Sequence, residues 1–179
     1  VEDVCILFSK IKDGDNSYFE NFYNLTKKKV FFLIYSYVRN QMDAEDILQE
    51  TYLSLLEHRN KIKIDSVMSY LFKIAQNKSL NFLKKKQRNV SMNYEQADVQ
   101  VINENFLSQE SSYIIQVMNQ VLNELEFKVV TLHVLEEMTH KEISKFLKKP
   151  IGTITWTYQN ALQKIRTVSY THLTLPTIR

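Results

Sequence analysis

Two glycines and two prolines are all that this 179-residue chain carries. So few turn-formers exclude a fold built of many tight turns. They predict helices joined by short polar connections. The single cysteine, Cys5, excludes an internal disulfide framework and fits a reducing cytoplasm, the expected location. The longest apolar run, Val30 to Ile34, is too short to cross a bilayer, so no membrane insertion is expected. Residues 1–12 lack a basic stretch followed by a long apolar one, and no signal peptide is expected. With Gly14 and Gly152 as its only glycines, the chain has no phosphate-cradling glycine loop. His58, His133, His140 and His172 have no metal-ligand spacing, and Cys5 has no nucleophile context. The chain is therefore expected not to be an enzyme, and to need no cofactor and no metal.

What the chain does have is helical periodicity. Length permits one large domain or two small ones. Val4, Ile6, Leu7, Phe8 and Ile11 predict a short first helix, closed by the turn Asp13-Gly14-Asp15-Asn16. Ser17 is the expected cap of a long aromatic helix, with Glu20 at the capping-box position. Arg39-Asn40-Gln41-Met42 reads as a short connection, which favours antiparallel packing of the helices it joins. The next helix is expected to start at Asp43 as N-cap, with Asp46 adding charge where the dipole is positive. Its residues Ala44, Ile47, Leu48, Thr51, Tyr52, Leu55 and Leu56 form one apolar stripe. The opposite face carries Glu45, Asp46, Gln49 and Glu50.

A loop from Asn60 to Asp65 follows, then a helix from Ser66 that runs into Lys84-Lys85-Lys86-Gln87-Arg88. From Lys61 to Tyr94 the cations Lys61, Lys63, Lys73, Lys78, Lys84, Lys85, Lys86 and Arg88 face a single anion, Asp65. The whole chain is only +3. Such concentration points to an anionic partner. Dipole complementation explains the cluster at Lys84 to Arg88 but not Lys61, Lys63, Lys73 and Lys78. From Val90 to about Ser112 the chain is polar, acidic and aperiodic, which predicts a partly disordered linker.

Beyond it, Ile114, Ile115, Val117, Met118, Val121, Leu122 and Leu125 predict one amphipathic helix, and Glu126 to Leu135 another. Thr139-His140-Lys141-Glu142 is a capping box opening a short helix, Lys141 to Leu147. Lys148-Lys149-Pro150-Ile151 connects it to a final helix from Gly152 through Arg166. Two such helices joined by about four residues form a helix-turn-helix pattern. The expected fold is all-α: two small helical domains, residues 1–89 and 113–167, joined by the linker 90–112.

The order and wording of these segments resemble bacterial sigma factors of the extracytoplasmic-function type. Phe19-Glu20-Asn21-Phe22-Tyr23, Asp43 to Tyr52, and Ser69-Tyr70-Leu71-Phe72-Lys73-Ile74-Ala75-Gln76-Asn77 with the basic run resemble conserved region two. Leu122 to Leu125, Val129-Val130-Thr131-Leu132, Thr139 to Ser144 and Gly152-Thr153-Ile154 resemble region four. The resemblance implies a transcription-initiation subunit that binds core RNA polymerase and promoter DNA and promotes strand opening. Asp43, Glu45, Asp46, Gln49 and Glu50 would bind the clamp helices of the polymerase largest subunit. Lys61, Lys63, Tyr70, Lys73, Asn77, Asn81, Lys84, Lys85, Lys86 and Arg88 would hold the minus-ten element. The cations would neutralise phosphates, while Asn77, Asn81 and the Lys61 to Ser66 loop would hold an unstacked base. Tyr70, where the family often has Trp, reads equally as a core aromatic. Lys141, Thr153, Thr155, Trp156, Gln159, Asn160 and Lys164 would read the minus-thirty-five element in the major groove.

The final helix departs from the family by offering Thr, Trp, Tyr, Gln and Asn where Lys and Arg are usual, which suits an A·T-rich target. Pro150 stands where the family favours a capping Ser, and Lys148 replaces a turn Gly. The resemblance also implies an anti-sigma partner that occludes both domains. A stand-alone helix-turn-helix regulator and a helical interaction module are the alternatives. The tail Val168 to Arg179 is β-prone, resembles translated adapter sequence and is expected to be a non-native addition outside the fold.

Overall fold

A computed structural model describes residues 3–90, 117–134 and 137–173, with side chains for 3–88, 117–134 and 137–167. The chain divides between Val101 and Ile102 into two compact units, inside the stretch predicted as a linker. Most of that stretch lies outside the described residues. All regular elements among the described residues are helical.

In the first unit, α1 (Val4–Lys12) is capped by Asp3, whose carboxylate accepts from the Cys5 N–H. A short 3-10 turn, Asn16–Tyr18, leads into α2 (Phe19–Val38). The expected Ser17 cap is corrected here. Asp15 is the capping residue and takes both the N–H and the hydroxyl of Ser17 at 3.0 and 2.6 Å. A carboxylate is the stronger acceptor, and it sits two residues ahead of the hydroxyl it captures.

Helix α2 is the centre of the unit. From Val30 to Val38 every residue is buried, Ser36 included, because α1, α3 and α4 all pack against this helix. A helix that is apolar all round fits only such a position. Arg39 ends it in the left-handed conformation (φ 55°), with its N–H returned to the Tyr35 carbonyl. Asn40 then caps α3 (Gln41–His58) by accepting from the Asp43 N–H at 2.9 Å. Asp43 is thus not the N-cap but a first-turn residue, and Gln41 and Met42 belong to the helix. The connection shrinks to Arg39 and Asn40, and α2 and α3 pack antiparallel.

The stripe predicted for α3 is buried from Ala44 to Leu55, with Leu56 at its margin. Tyr52 lies edge-on to Tyr23 at 4.8 Å, and its hydroxyl meets Thr26 Oγ1 at 2.6 Å. The loop expected after α3 is ordered as two 3-10 turns, Arg59–Lys61 and Ile64–Ser66, and α4 (Val67–Val90) follows.

In the second unit residues 117–121 are helical, but Leu122 and Asn123 are not. Leu125 therefore belongs to the next helix, α5 (Glu124–Val134), not to the preceding one. Asn123 is what separates them. Its side chain accepts from the Glu126 N–H at 2.9 Å, and Glu126 accepts from the Asn123 N–H at 2.9 Å. This reciprocal pair starts a helix even where apolar periodicity continues through it.

The Thr139–Glu142 capping box is present and opens α6 (His140–Leu147). Ile143 is fully buried, whereas Phe146 and Leu147 are half-buried. Lys148 takes the left-handed conformation (φ 54°, ψ 45°) where glycine would be unstrained. Helix α7 (Ile151–Leu173) starts one residue before Gly152 and continues past Arg166. The backbone of 168–173 is thus helical, which corrects the β-prone reading of that part of the tail. A growing helix adds one hydrogen bond per residue and overrides weak β preference. Phe127, Val129, Leu132, Ile143, Ile154 and Ala161, from α5, α6 and α7, are fully buried and form the core.

Candidate nucleic-acid interface

Charge in the first unit is sorted by face. On α3, Asp46, Gln49 and Glu50 are exposed, and Asp43 and Glu45 are half-buried. Gln41 Nε2 donates to Glu45 at 2.7 Å and fixes it. Met42 and Leu53, 68% and 61% exposed, fall at the ends of the same outward stripe. With Asp46 and Gln49 they make the series i, i+4, i+7, i+11, one side of a helix. The sequence reading missed both. Continuing the helical period outward from Asp46 would have found them.

On α4 the predicted residues Tyr70, Lys73, Asn77, Asn81, Lys84 and Arg88 recur at spacings of three and four, and all are exposed. They share one face about 27 Å long at the 1.5 Å helical rise. Tyr70, 37% exposed, is not a core aromatic. The opposite face, Leu71, Phe72, Ala75, Gln76 and Ser79, is buried. Lys73 donates to Gln76 at 2.8 Å, and Gln76 donates to the Tyr37 hydroxyl at 3.0 Å, tying the outer face to the core.

Two of the block's lysines turn sideways. Lys86 pairs with Asp43 at 3.1 Å and Lys78 with Glu50 at 3.2 Å. These bridges run antiparallel along the α3–α4 seam, about two turns apart. Part of the basic charge is therefore balanced inside the unit. Lys86 also lies over the Phe82 ring at 5.6 Å. Lys84 and Lys85 are exposed, as are Lys61 and Lys63 on either side of the buried Ile62. Extended backbone at Ile62 and Lys63 sends successive side chains to opposite sides.

In the second unit the predicted set divides. Lys141, Thr153, Trp156 and Gln159 are exposed, Trp156 to 66%. Thr155 is half-buried, with Oγ1 3.2 Å from His140 Nδ1. Asn160 and Lys164 face inward instead. Both donate to Glu126, at 2.7 and 2.8 Å. That carboxylate is almost completely buried. Burial alone would raise its pKa. Hydrogen bonds from Lys164, the Asn123 N–H and Asn160, with the Lys164 charge, outweigh burial and hold it below the ordinary value.

His133, His140 and Tyr158 cluster edge-on or tilted at the corner of α5, α6 and α7 with centroids 4.5 to 5.1 Å apart. Among the described residues no three metal-ligating side chains converge. None of the described helices is long and apolar enough to cross a membrane.

A helix-turn-helix unit, joined in one chain to a helical unit with one acidic and one basic face, defines a DNA-binding protein with a protein partner. Comparison with known proteins makes this specific. The chain matches the families Sigma-70 region 2 over residues 22–89 and Sigma-70, region 4 over residues 120–167. It is 23% identical over 159 residues to the ECF RNA polymerase sigma factor SigW of Bacillus subtilis (strain 168), covering 81% of this chain and 85% of the relative. It is 27% identical over 146 residues to the RNA polymerase sigma factor SigV of the same organism, covering 78% and 84%.

Two solved structures share the fold. One is the sigma factor RpoE in complex with the anti-sigma factor NepR from Bartonella quintana: TM-score 0.67, 17% identity, covering 85% of this chain and 96% of that one. The other is CnrH in complex with the cytosolic domain of CnrY: TM-score 0.61, 15% identity, covering 94% and 99%. The chain belongs to the sigma-70 family, as a sigma factor of the extracytoplasmic-function type. Its function is transcription initiation, through core RNA polymerase and promoter DNA.

Proposed function

We propose a division of labour among the faces. The outward stripe of α3, with Asp46, Gln49 and Glu50 at its centre and Asp43 and Glu45 beside it, docks on a basic surface of core polymerase, the clamp helices of the largest subunit. The α4 face from Tyr70 to Arg88 lies along the minus-ten element, where Lys73, Lys84, Lys85 and Arg88 neutralise phosphate and Tyr70 stacks, and Lys86 joins them on leaving Asp43. Asn77, Asn81 and the turns from Lys61 to Ser66 hold an unstacked base. Lys141, Thr153, Trp156 and Gln159 meet the minus-thirty-five element, with Thr155 at its margin. Asn160 and Lys164 support that surface from behind.

The functional domains are residues 1–89 and 113–167, with 90–112 as linker and 168–179 as a non-native addition. The protein acts in the cytoplasm, on polymerase rather than as a catalyst. An anti-sigma protein restrains it, as both structural neighbours were solved with such a partner or a cytosolic domain bound.

The observation that carries this reading is the sorting of acid and amide onto one face of α3 and of cations, amides and Tyr70 onto one face of α4. A stand-alone regulator has no use for the first face. The test is run-off transcription with bacterial core polymerase, a promoter library and the chain ending at 167. The expected result is promoter-specific transcripts that D46K/E50K abolishes together with core binding. A chain that fails to bind core polymerase overturns the reading.

A further inference from the structure

The turns from Arg59 to Ser66 are held from beneath by α1. Lys12 is half-buried, and its Nζ donates to the Ile62 carbonyl at 2.8 Å across 50 residues of chain. Arg59 Nη1 reaches Asn16 Oδ1 just after α1, at 3.3 Å. Asp65 is near enough to raise the pKa of Cys5 on α1, although burial and Asp3 contribute more. Helix α1 therefore lies along the loop and touches both of its 3-10 turns. It also lies outside the part of the chain that matches Sigma-70 region 2, which begins at residue 22.

The position of the bond matters. Ile62 and Lys63 form an extended dipeptide between the two turns, with no helical ladder to fix it. The Ile62 side chain is 2% exposed and plugs the core. Lys12 holds the carbonyl of the same residue, so side chain and backbone are both pinned. That pinning sets the direction in which Lys61 and Lys63 leave the surface. It also sets the start of α4, from which Asn77 and Asn81 project.

We propose that Lys12 is a positioning residue for base recognition in the minus-ten element: by clamping the Ile62 carbonyl it preorganises the Lys61–Ser66 turns around the unstacked base. This rests on the promoter reading above. A preorganised pocket discriminates between bases because a wrong base cannot be accommodated by relaxation. With the clamp lost, the loop relaxes, and discrimination falls while phosphate binding stays.

The variants are K12M, which keeps the stem but removes the donors, K12R, which keeps a donor, and K10M. Lys10 is exposed on the same helix, so K10M repeats the charge change without the clamp. Each full-length variant, bound to bacterial core polymerase, selects promoters from a library randomised across the minus-ten region. Hydrogen exchange of the Ile62 and Ser66 amides, which donate within the loop, is measured on the same samples. K12M is expected to lose about three- to tenfold in discrimination at one base position, the size of effect one hydrogen bond supports. Its Ile62 and Ser66 amides should exchange faster by a similar factor. K12R is expected to restore both, and K10M to behave as wild type. Unchanged discrimination and exchange in K12M overturn the proposal, as does equal loss in K10M. A wild-type holoenzyme that selects no motif overturns the promoter reading and this inference together.

Discussion

Removing the buried Glu126 carboxylate should unfold the second unit preferentially, and in a pH-dependent way. Glu126 accepts from the Asn123 N–H, Asn160 Nδ2 and Lys164 Nζ, all within 2.9 Å, at the junction of α5 with α7. In E126A the Asn123 N–H and the Asn160 amide lose an anionic acceptor. Bonds to a charged group contribute about 1.5–3 kcal/mol each, and less here because Asn123 is exposed and Asn160 half-buried, so both donors regain water in part. Lys164 is 40% exposed and regains water, so its part is discounted well below that of a fully buried pair. The expected loss is about 2–3 kcal/mol for E126A.

E126Q keeps one acceptor oxygen but turns the other into a donor that faces a donor, because Asn160 uses Oε1 while the Asn123 N–H and Lys164 use Oε2, and it should cost about 1–2 kcal/mol, less than E126A. The pKa of Glu126 is lowered in the folded state. The unfolded chain therefore binds the proton more readily, and stability from this group is present above the unfolded pKa, near 4.3. It is lost as pH falls through the lower, folded value. The gap between wild type and E126Q should accordingly be full at pH 7 and close in acid. Hydrogen exchange of α5 and α7 amides in a urea series measures it, with α2 amides of the first unit as internal control. A loss under 0.5 kcal/mol in E126A, equal loosening of α2, or a gap that persists in acid would refute the reasoning.

Two further outcomes follow from exposure and charge. Trp156→Ala removes a ring that is 66% exposed. Urea stability should therefore stay within about 0.5 kcal/mol of wild type, while protection of the minus-thirty-five region in a holoenzyme footprint is lost. Replacing Lys84 and Lys85 by Gln should weaken single-stranded minus-ten binding by the holoenzyme and reduce the slope of log K against log salt by about 1.4, at roughly 0.7 per phosphate contact. An unchanged slope would remove both lysines from the phosphate-facing set.

The helices and their burial were largely legible, because periodicity reports burial directly. The α3 stripe and the Thr139 capping box needed nothing beyond the local sequence. Helix starts were less legible wherever two good caps compete. Asn40 and Asp43 can each cap α3, and Asp15 and Ser17 each offer an acceptor. The choice rests on where the preceding turn delivers the backbone, a tertiary outcome. The inward turn of Asn160 and Lys164 was not legible at all. Both are polar residues on a helix expected to face DNA, and their partner lies 34 and 38 residues upstream. A carboxylate near a helix start reads as solvated until a second helix covers it. The bridges of Lys78 and Lys86 escaped notice for a related reason. Net charge along a segment says nothing of what a neighbouring helix holds across the seam.

That inward turn bears on how the second unit contributes to promoter binding. The outward residues proposed for the minus-thirty-five element are Lys141, Thr153, Trp156 and Gln159, only one of them a cation, while the exposed Lys145, Lys148, Lys149 and Arg166 flank them on the same unit. Phosphate neutralisation supplies most non-specific affinity, so this base-facing set alone should hold duplex DNA weakly, and the unit's hold on phosphate falls to the flanking cations. Weakness here does not prevent use. When one chain and one polymerase hold both units, binding of the second is intramolecular, and its effective concentration substitutes for affinity. The base contacts proposed for Gln159, and apolar contacts of the Thr153 methyl and the Trp156 ring, then need only discriminate, which a few close contacts can do at about 1–3 kcal/mol per wrong base. On this division the flanking cations and the first unit supply charge, and the outward residues of α7 supply selectivity. The few cations of α7 then fit a helix whose task is to choose a site, not to hold one.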